Sequence, residues 1–288
     1  MDQWALDYQN DINTAIARFL QDHYSNNLGQ NEATLREAVI YSMSFWQDSR
    51  IHTILSMVAY EEFLGITADS VIDILIGIEF IHTGLMLHED AAGVHNIYIQ
   101  EGIPTIKKYG ESLSIIVWDI LIELGIDRLS QSGNMQIIRE VISSTGDTGL
   151  LRGVARDILT DHASISEKEY LTMYDEKLSR SIIAAFLIGS MLAGDTSQLL
   201  KDQFRQFGTF LARIYQVGHD IDQHEQSLNT PNSEVNRERG VVDFVGYEKA
   251  KNLYEELYVE LMKMTGGFQN SKFQDIITIF KDRTVNDI

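Results

Sequence analysis

The sequence contains no cysteine, two prolines and only 23 basic side chains in 288 residues, and each shortage closes off a class of answer. Without thiols there is no disulfide framework and no thiolate chemistry. A zinc site would rest on histidine and carboxylate alone, and a reducing cytoplasm is the expected address. So few prolines, beside 20 glycines, give too little punctuation for a sheet protein full of turns and suit long helices joined by short polar loops. Against the basic residues stand 42 acidic ones, for a formal charge of -19. That field repels nucleic-acid backbones and acidic lipid surfaces, so neither is expected as a partner. An anionic small substrate stays compatible, because magnesium bridging carboxylates to a diphosphate would put local acidity to use. The N-terminal MDQWALDYQNDIN has neither a basic n-region nor an apolar h-region. No uninterrupted apolar run reaches ~18 residues either, so neither export nor a membrane span is expected.

What is present is helical periodicity. A chain of this length fits one large domain or two close-packed halves. With no repeat, low-complexity tract or linker in view, a single all-helical domain over residues 1–288 is the expectation. Apolar residues recur at three and four, predicting helices near 5–22, 31–46, 50–64, 68–92, 105–125, 131–143, 147–160, 166–176, 177–194, 197–226, 245–265 and 272–281. The breaks carry NNLG, TADS, QEGIPT, SQSG, SSTGD, AGDTS and NTPNSE, which supply caps, glycine and proline. The fold class is therefore all-α. VIDILIGIEFIHTGLML and SLSIIVWDILIEL are too apolar for surface helices and are placed in the core.

Polar residues interrupt the first of these: Asp73, Glu79, His82, His88, Glu89 and Asp90. Their ordinary reading is satisfied core polars and a helix end reaching solvent. Glu89 and Asp90 are adjacent, about 100° apart around a helix, so both can border a cleft without facing one point. A second cluster, YQVGHDIDQHEQ from Tyr215 to Gln226, carries His219, Asp222, Gln223 and Gln226 at spacings of three and four. Magnesium prefers hard oxygen ligands, which favours Asp220, Asp222 and Glu225 over His219 or Gln223. A solvated acidic face is the alternative for any chain of this charge.

Over residues 45–245 these clusters and the segments between them resemble the all-trans isoprenyl diphosphate synthases. IHTGLMLHED stands where that family has VHTxSLIHDD, with Glu89 and Asp90 on the first two acidic positions of its first aspartate-rich motif; the last falls on Gly93 or His95. G-x-P-T and KKYGE follow at the family's distance. Gln100 and Glu101 replace two diphosphate-binding arginines. Gly153 and Asp157 resemble GQxxDL, and Lys177 matches the lysine of the KT pair. YQVGHDIDQ matches FQIxDDxxD, with Gln216 and Asp220 kept and His219 and Gln223 in place of acids. Arg50 and His52 align with the RxR of GGKRxRP, whose lysine position is Ser49. His82 matches a histidine that helps hold isopentenyl diphosphate, and Arg239 falls near a late lysine.

The resemblance implies an isoprenoid-synthase-type helical bundle around a central cleft, and magnesium-dependent ionisation of an allylic prenyl diphosphate with transfer to isopentenyl diphosphate or another acceptor. It implies metal ligands at Glu89, Asp90, Asp220 and Asp222, and substrate contacts at Arg50, His52, His82, Gly84, Lys177 and Arg239. Catalytic roles fall to Lys177, Gln216 and Arg239. Gly84 lies where the family often sets product length with a bulky aromatic; close helix packing is the other use of a glycine there. The lost arginines weaken the acceptor side, and Glu101 would repel a second diphosphate. Two other readings therefore stand beside the transferase: a silent subunit in a heterodimer with an active synthase, and a cyclase-like enzyme using one prenyl diphosphate. Self-association as a homodimer is implied equally.

Overall fold

The computed structural model describes residues 2–25, 32–45, 50–65, 68–91, 103–160, 165–194, 197–229 and 240–282, with the side chains of Asp90, Ala91, Asn229 and Asp282 excepted. Among them there are helices and connections and no strand. The helices are α1 (Gln3–Ser25), α2 (Ala33–Phe45), α3 (Ile51–Leu64), α4 (Asp69–Ala91), α5 (Thr105–Tyr109), α6 (Glu111–Ser130), α7 (Met135–Thr145), α8 (Leu150–Leu159), α9 (Glu167–Tyr174), α10 (Arg180–Leu192), α11 (Gln198–Asn229), α12 (Val241–Val245), α13 (Tyr247–Met264) and α14 (Lys272–Asp282). A π-helical turn, Asp175–Ser179, joins α9 to α10.

Two departures from the predicted boundaries have local causes. The helix expected over 105–125 is two, because Gly110 takes φ 82°, a left-handed value that costs glycine little. The joint expected after residue 176 is no break at all: the chain runs on through the π turn. At α9 a capping box fixes the start. The Ser166 hydroxyl accepts from the Glu169 amide at 3.3 Å, and the Glu169 carboxylate accepts from the Ser166 amide at 3.0 Å.

The chain divides into two compact units. The first holds residues 1–140 and 188–195, the second 141–187 and 196–288. In the first unit α4 packs on α6 along most of its length. Glycines permit that approach: a Cβ on Gly77 would lie 2.6 Å from the Gly125 carbonyl oxygen, and one on Gly125 would lie 2.5 Å from that of Gly77. The stretch Asp69–Glu89 of α4 is long and apolar enough to cross a bilayer by length and composition, and 67% of it is buried inside the protein. The expectation of no such segment rested on an uninterrupted run. Average hydropathy finds one, and its burial fits the core helix that the sequence suggested.

The second unit is organised on α11, whose 32 residues span about 48 Å. Phe204 and Phe207 of α11, Phe186 of α10, Phe273 of α14 and Phe268 from the connection before α14 form an aromatic cluster. Phe268 and Phe273 stack at 3.9 Å and Phe186 and Phe204 at 5.4 Å between centroids, in the offset and edge-on geometries that ring quadrupoles favour.

Candidate functional site

In the first unit most of the polar residues of α4 have structural partners. Asp73 pairs with Arg18 at the surface. Glu79 is 2% exposed and accepts from the Thr53 amide at 2.9 Å, one of the donors that a helix N-terminus leaves without an intrahelical acceptor. Arg50 precedes α3 with φ 49° and is 2% exposed. Its Nε donates to Asn13 Oδ1 at 2.8 Å, its Nη2 to the Met43 carbonyl at 2.6 Å, and its Nη1 lies 3.8 Å from Glu79 Oε2. The arginine expected to meet a diphosphate is thus bonded to α1, α2 and α4, and its charge is balanced by Glu79.

His52 of α3 and His82 of α4 come together here with ring centroids 4.1 Å apart. Burial first, and then the neighbouring His82, hold the His52 imidazole well below its ordinary value, so it stays neutral. Gly84 faces α6. A Cβ there would sit 3.1 Å from Ile122 Cδ1 and 3.2 Å from the Trp118 carbonyl, so the structure uses this glycine for helix packing. At the end of α4 Glu89 is 1% exposed, in a helix that is mostly apolar. Burying a carboxylate costs several kcal/mol before compensation, which is why this acid stands out from the surrounding Leu85 and Leu87. Asp90 continues α4 by its backbone. Ser49, Gly93, His95, Asn96, Gln100 and Glu101 lie outside the described residues.

In the second unit Gln216 and Asp220, one turn apart on α11, share a network. Asp220 is 4% exposed, and its carboxylate accepts from Tyr170 Oη at 2.5 Å, Gln216 Nε2 at 2.8 Å and the Val241 amide at 2.7 Å. Gln216 also donates to Tyr170 Oη at 3.2 Å. Burial, and then the Asp220 charge, push the Tyr170 hydroxyl well above its ordinary value, keeping it a neutral donor. One carboxylate therefore joins α9, α11 and the start of α12. A carboxylate offers about four lone-pair sites, and three donors already occupy this one. This departs from the expectation of Asp220 as an open magnesium ligand. His219, Asp222 and Gln223 lie on another part of the helix surface, half-buried. Burial and then Glu225 raise the Asp222 carboxyl, so Asp222 keeps a local potential that a cation would relieve.

Lys177, in the π turn, places Nζ 3.1 Å from Asp157 Oδ2 on α8, with side chains 11% and 5% exposed. It is not a solvated surface lysine. Gly153 makes room for the turn: a Cβ on it would lie 2.7 Å from the Lys177 amide nitrogen. The family-like pair Gly153 and Asp157 thus supports Lys177 by space and by charge. Arg239 lies outside the described residues.

The sequence reading missed Tyr170, fifty positions from the carboxylate it bonds, and the Asn13–Arg50–Glu79–Thr53 set. Neither has a local signature; both arise from tertiary contact. Among the described residues no group of three histidines and acids is close enough to hold a metal ion.

Against known proteins, the pattern described as polyprenyl synthetase matches residues 29–230. A chloroplastic geranylgeranyl pyrophosphate synthase of Capsicum annuum is 26% identical over 263 residues, 85% of this chain and 69% of that one. Among solved structures, a geranyltransferase from Legionella pneumophila superposes with a TM-score of 0.78 at 20% identity, over 97% of this chain and 94% of that one. The Helicobacter pylori geranyltransferase complexed with magnesium and isoprenyl diphosphate gives 0.75 at 17% identity, over 97% of both chains. The helical bundle is the isoprenoid-synthase fold these structures share. With the motif order around Glu89, Lys177 and Gln216 lying inside a match that covers more than two thirds of the sequence, the chain belongs to the polyprenyl synthetase family.

Proposed function

We propose that this chain is a divergent prenyltransferase of isoprenoid biosynthesis that binds an allylic prenyl diphosphate and transfers its prenyl group to isopentenyl diphosphate or to an uncharged acceptor. The observation that carries the reading is Glu89: a carboxylate at 1% exposure near the end of an apolar helix, beside Asp90, in a family whose Helicobacter pylori relative is described with magnesium and isoprenyl diphosphate. Buried ionisable groups concentrate at binding and catalytic sites, and this one stands on the family's first acidic motif.

The donor set fits magnesium unevenly. On α4, Glu89 and Asp90 are hard oxygen ligands of the right type. On α11, Asp220 does not fit, since three donors hold it, and Asp222 is the better candidate. When bound, the metal would offset the charge of a departing diphosphate. Lys177, its charge already shared with Asp157, would add to that electrostatic support, and Arg239 is proposed beside it. Gln216 acts in this reading through Asp220 and Tyr170 as a positioning residue. The neutral His52 imidazole offers a hydrogen bond rather than charge, which suits an uncharged acceptor better than a second diphosphate. Arg50 and Gly84 are proposed as structural. A single domain, a cytoplasmic setting and a homodimer belong to the same proposal.

One observation favours a second reading, a silent subunit paired with an active synthase: Asp220 is built into the fold, and His219 and Gln223 replace acids beside it. Product analysis separates the two. Incubation with magnesium and C10, C15 or C20 allylic diphosphates, with and without isopentenyl diphosphate, is expected to give a transferred or ionised prenyl product by mass spectrometry. Substrates returned unchanged in every combination, including with an added alcohol acceptor, would leave the silent subunit as the better account.

A further inference from the structure

A cavity of about 140 Å³ lies within the second unit, among α9, the π turn, α11 and α13, and no step of the proposed reaction uses it. Its walls are mostly apolar, with Ala212, Val217, Leu253 and Leu257 among them. Its charged lining groups are already paired. Asp175 takes two hydrogen bonds from Arg213, at 3.1 Å from Nε and 2.7 Å from Nη2, and Asp220 holds the three donors described above. Nothing in the wall calls for a charged ligand.

One polar group does call for a partner. Ser179, the last residue of the π turn, lines the cavity, is 3% exposed, and its buried Oγ has no hydrogen-bond partner among the described residues. Other buried helical serines of this chain behave differently: Ser42, Ser56 and Ser114 donate to the carbonyls of Ala38, His52 and Gly110 at 2.8, 3.1 and 2.9 Å. The π turn widens the backbone ladder to i→i+5 and moves the carbonyl four residues back from where an α-helical serine reaches it; such turns recur at functional sites. An unmet buried hydroxyl costs about 1–3 kcal/mol. The chain thus carries a cost at Ser179 that a ligand's hydrogen-bonding group would remove.

We infer that this cavity is a binding site for a small uncharged alcohol or phenol, its apolar body against Ala212, Val217 and Leu253 and its hydroxyl on Ser179 Oγ. The size is set by volume, since a cavity of roughly 150 Å³ accepts a six-carbon ring.

The test uses phenol and its near-isostere fluorobenzene, which lacks the hydroxyl, against the full chain with labelled alanine, valine and leucine methyl groups. Phenol is expected to shift the Ala212, Val217 and Leu253 methyl resonances saturably. Ala212→Leu, which fills the space, is expected to abolish the shift, with circular dichroism confirming the fold. Ser179→Ala adds no volume and keeps the test open should Ala212→Leu fail to fold. It is expected to weaken phenol by about threefold to tenfold, the worth of one hydrogen bond, and to leave fluorobenzene unchanged. Absence of a saturable shift at these methyls, persistence of the shift in folded Ala212→Leu, or equal effects of Ser179→Ala on both probes would overturn the assignment.

Discussion

The two units treat their acidic motif residues in opposite ways. On α4 of the first unit the motif residue Glu89 is buried near a helix end, while Glu79 serves the α3 terminus and Arg50 gathers α1, α2 and α4. On α11 of the second unit the motif carboxylate itself is the structural element, because Asp220 holds Tyr170, Gln216 and the Val241 amide. A motif position that looks equally acidic in both places is therefore a candidate ligand in one and a fastening in the other. At Asp220 three converging donors stabilise the buried charge and tie α9, α11 and α12 together.

Substitutions can sharpen this contrast. The largest effect is expected from Asp220→Ala, which strands a buried phenol, an amide side chain and a backbone N–H. Urea unfolding should show a loss of about 4 kcal/mol, on the scale of breaking a buried charged network. A stability gain instead would mean that Asp220 is an open, unpaired acid, as a free metal ligand would be. Next comes Lys177→Ala, which leaves Asp157 buried without its 3.1 Å partner; about 3 kcal/mol is expected from the same measurement. An unchanged midpoint would return Lys177 to the solvent-facing class.

A smaller effect belongs to pH. His52 has a folded value below its unfolded one. Below about pH 6.5 the unfolded chain binds a proton that the folded chain does not, so this group's stability is complete above that pH and is lost as pH falls through it. The slope is at most about 1.4 kcal/mol per pH unit for one proton. Replacing His52 by glutamine should flatten the fall in stability between about pH 6.5 and 5. An identical pH profile would show that His52 accepts its proton in the folded state.

Much of the fold was legible, and the reasons are local. Apolar spacing placed nearly every long helix, and the excess of hydrophobic residues in VIDILIGIEFIHTGLML marked α4 as a core helix before its partner α6 was known. Gly110 was readable only in hindsight, since a glycine ends a helix when its φ turns positive and the sequence does not state φ. Of the site residues, the order of Glu89, Asp157, Lys177, Gln216 and Asp220 was legible through the resemblance to the isoprenyl diphosphate synthases. Their roles were not, because a role depends on partners far along the chain: Tyr170 lies 50 positions before Asp220, and Asn13 lies 37 before Arg50. Gly84 shows the same limit. Its neighbours on α6 decide between packing and chain-length control, and they come from a different segment.

The largest expected effect on function belongs to one pair. Glu89→Ala with Asp90→Ala is expected to keep the helical circular dichroism, because a single pair at one helix end leaves the rest of the bundle intact. Titration calorimetry of an allylic diphosphate in the presence of magnesium, on the native chain and on this double variant, tests the central claim most directly. Metal-dependent binding by the native chain that disappears in the double variant is the predicted result. No binding by the native chain, or equal binding by both, would contradict it.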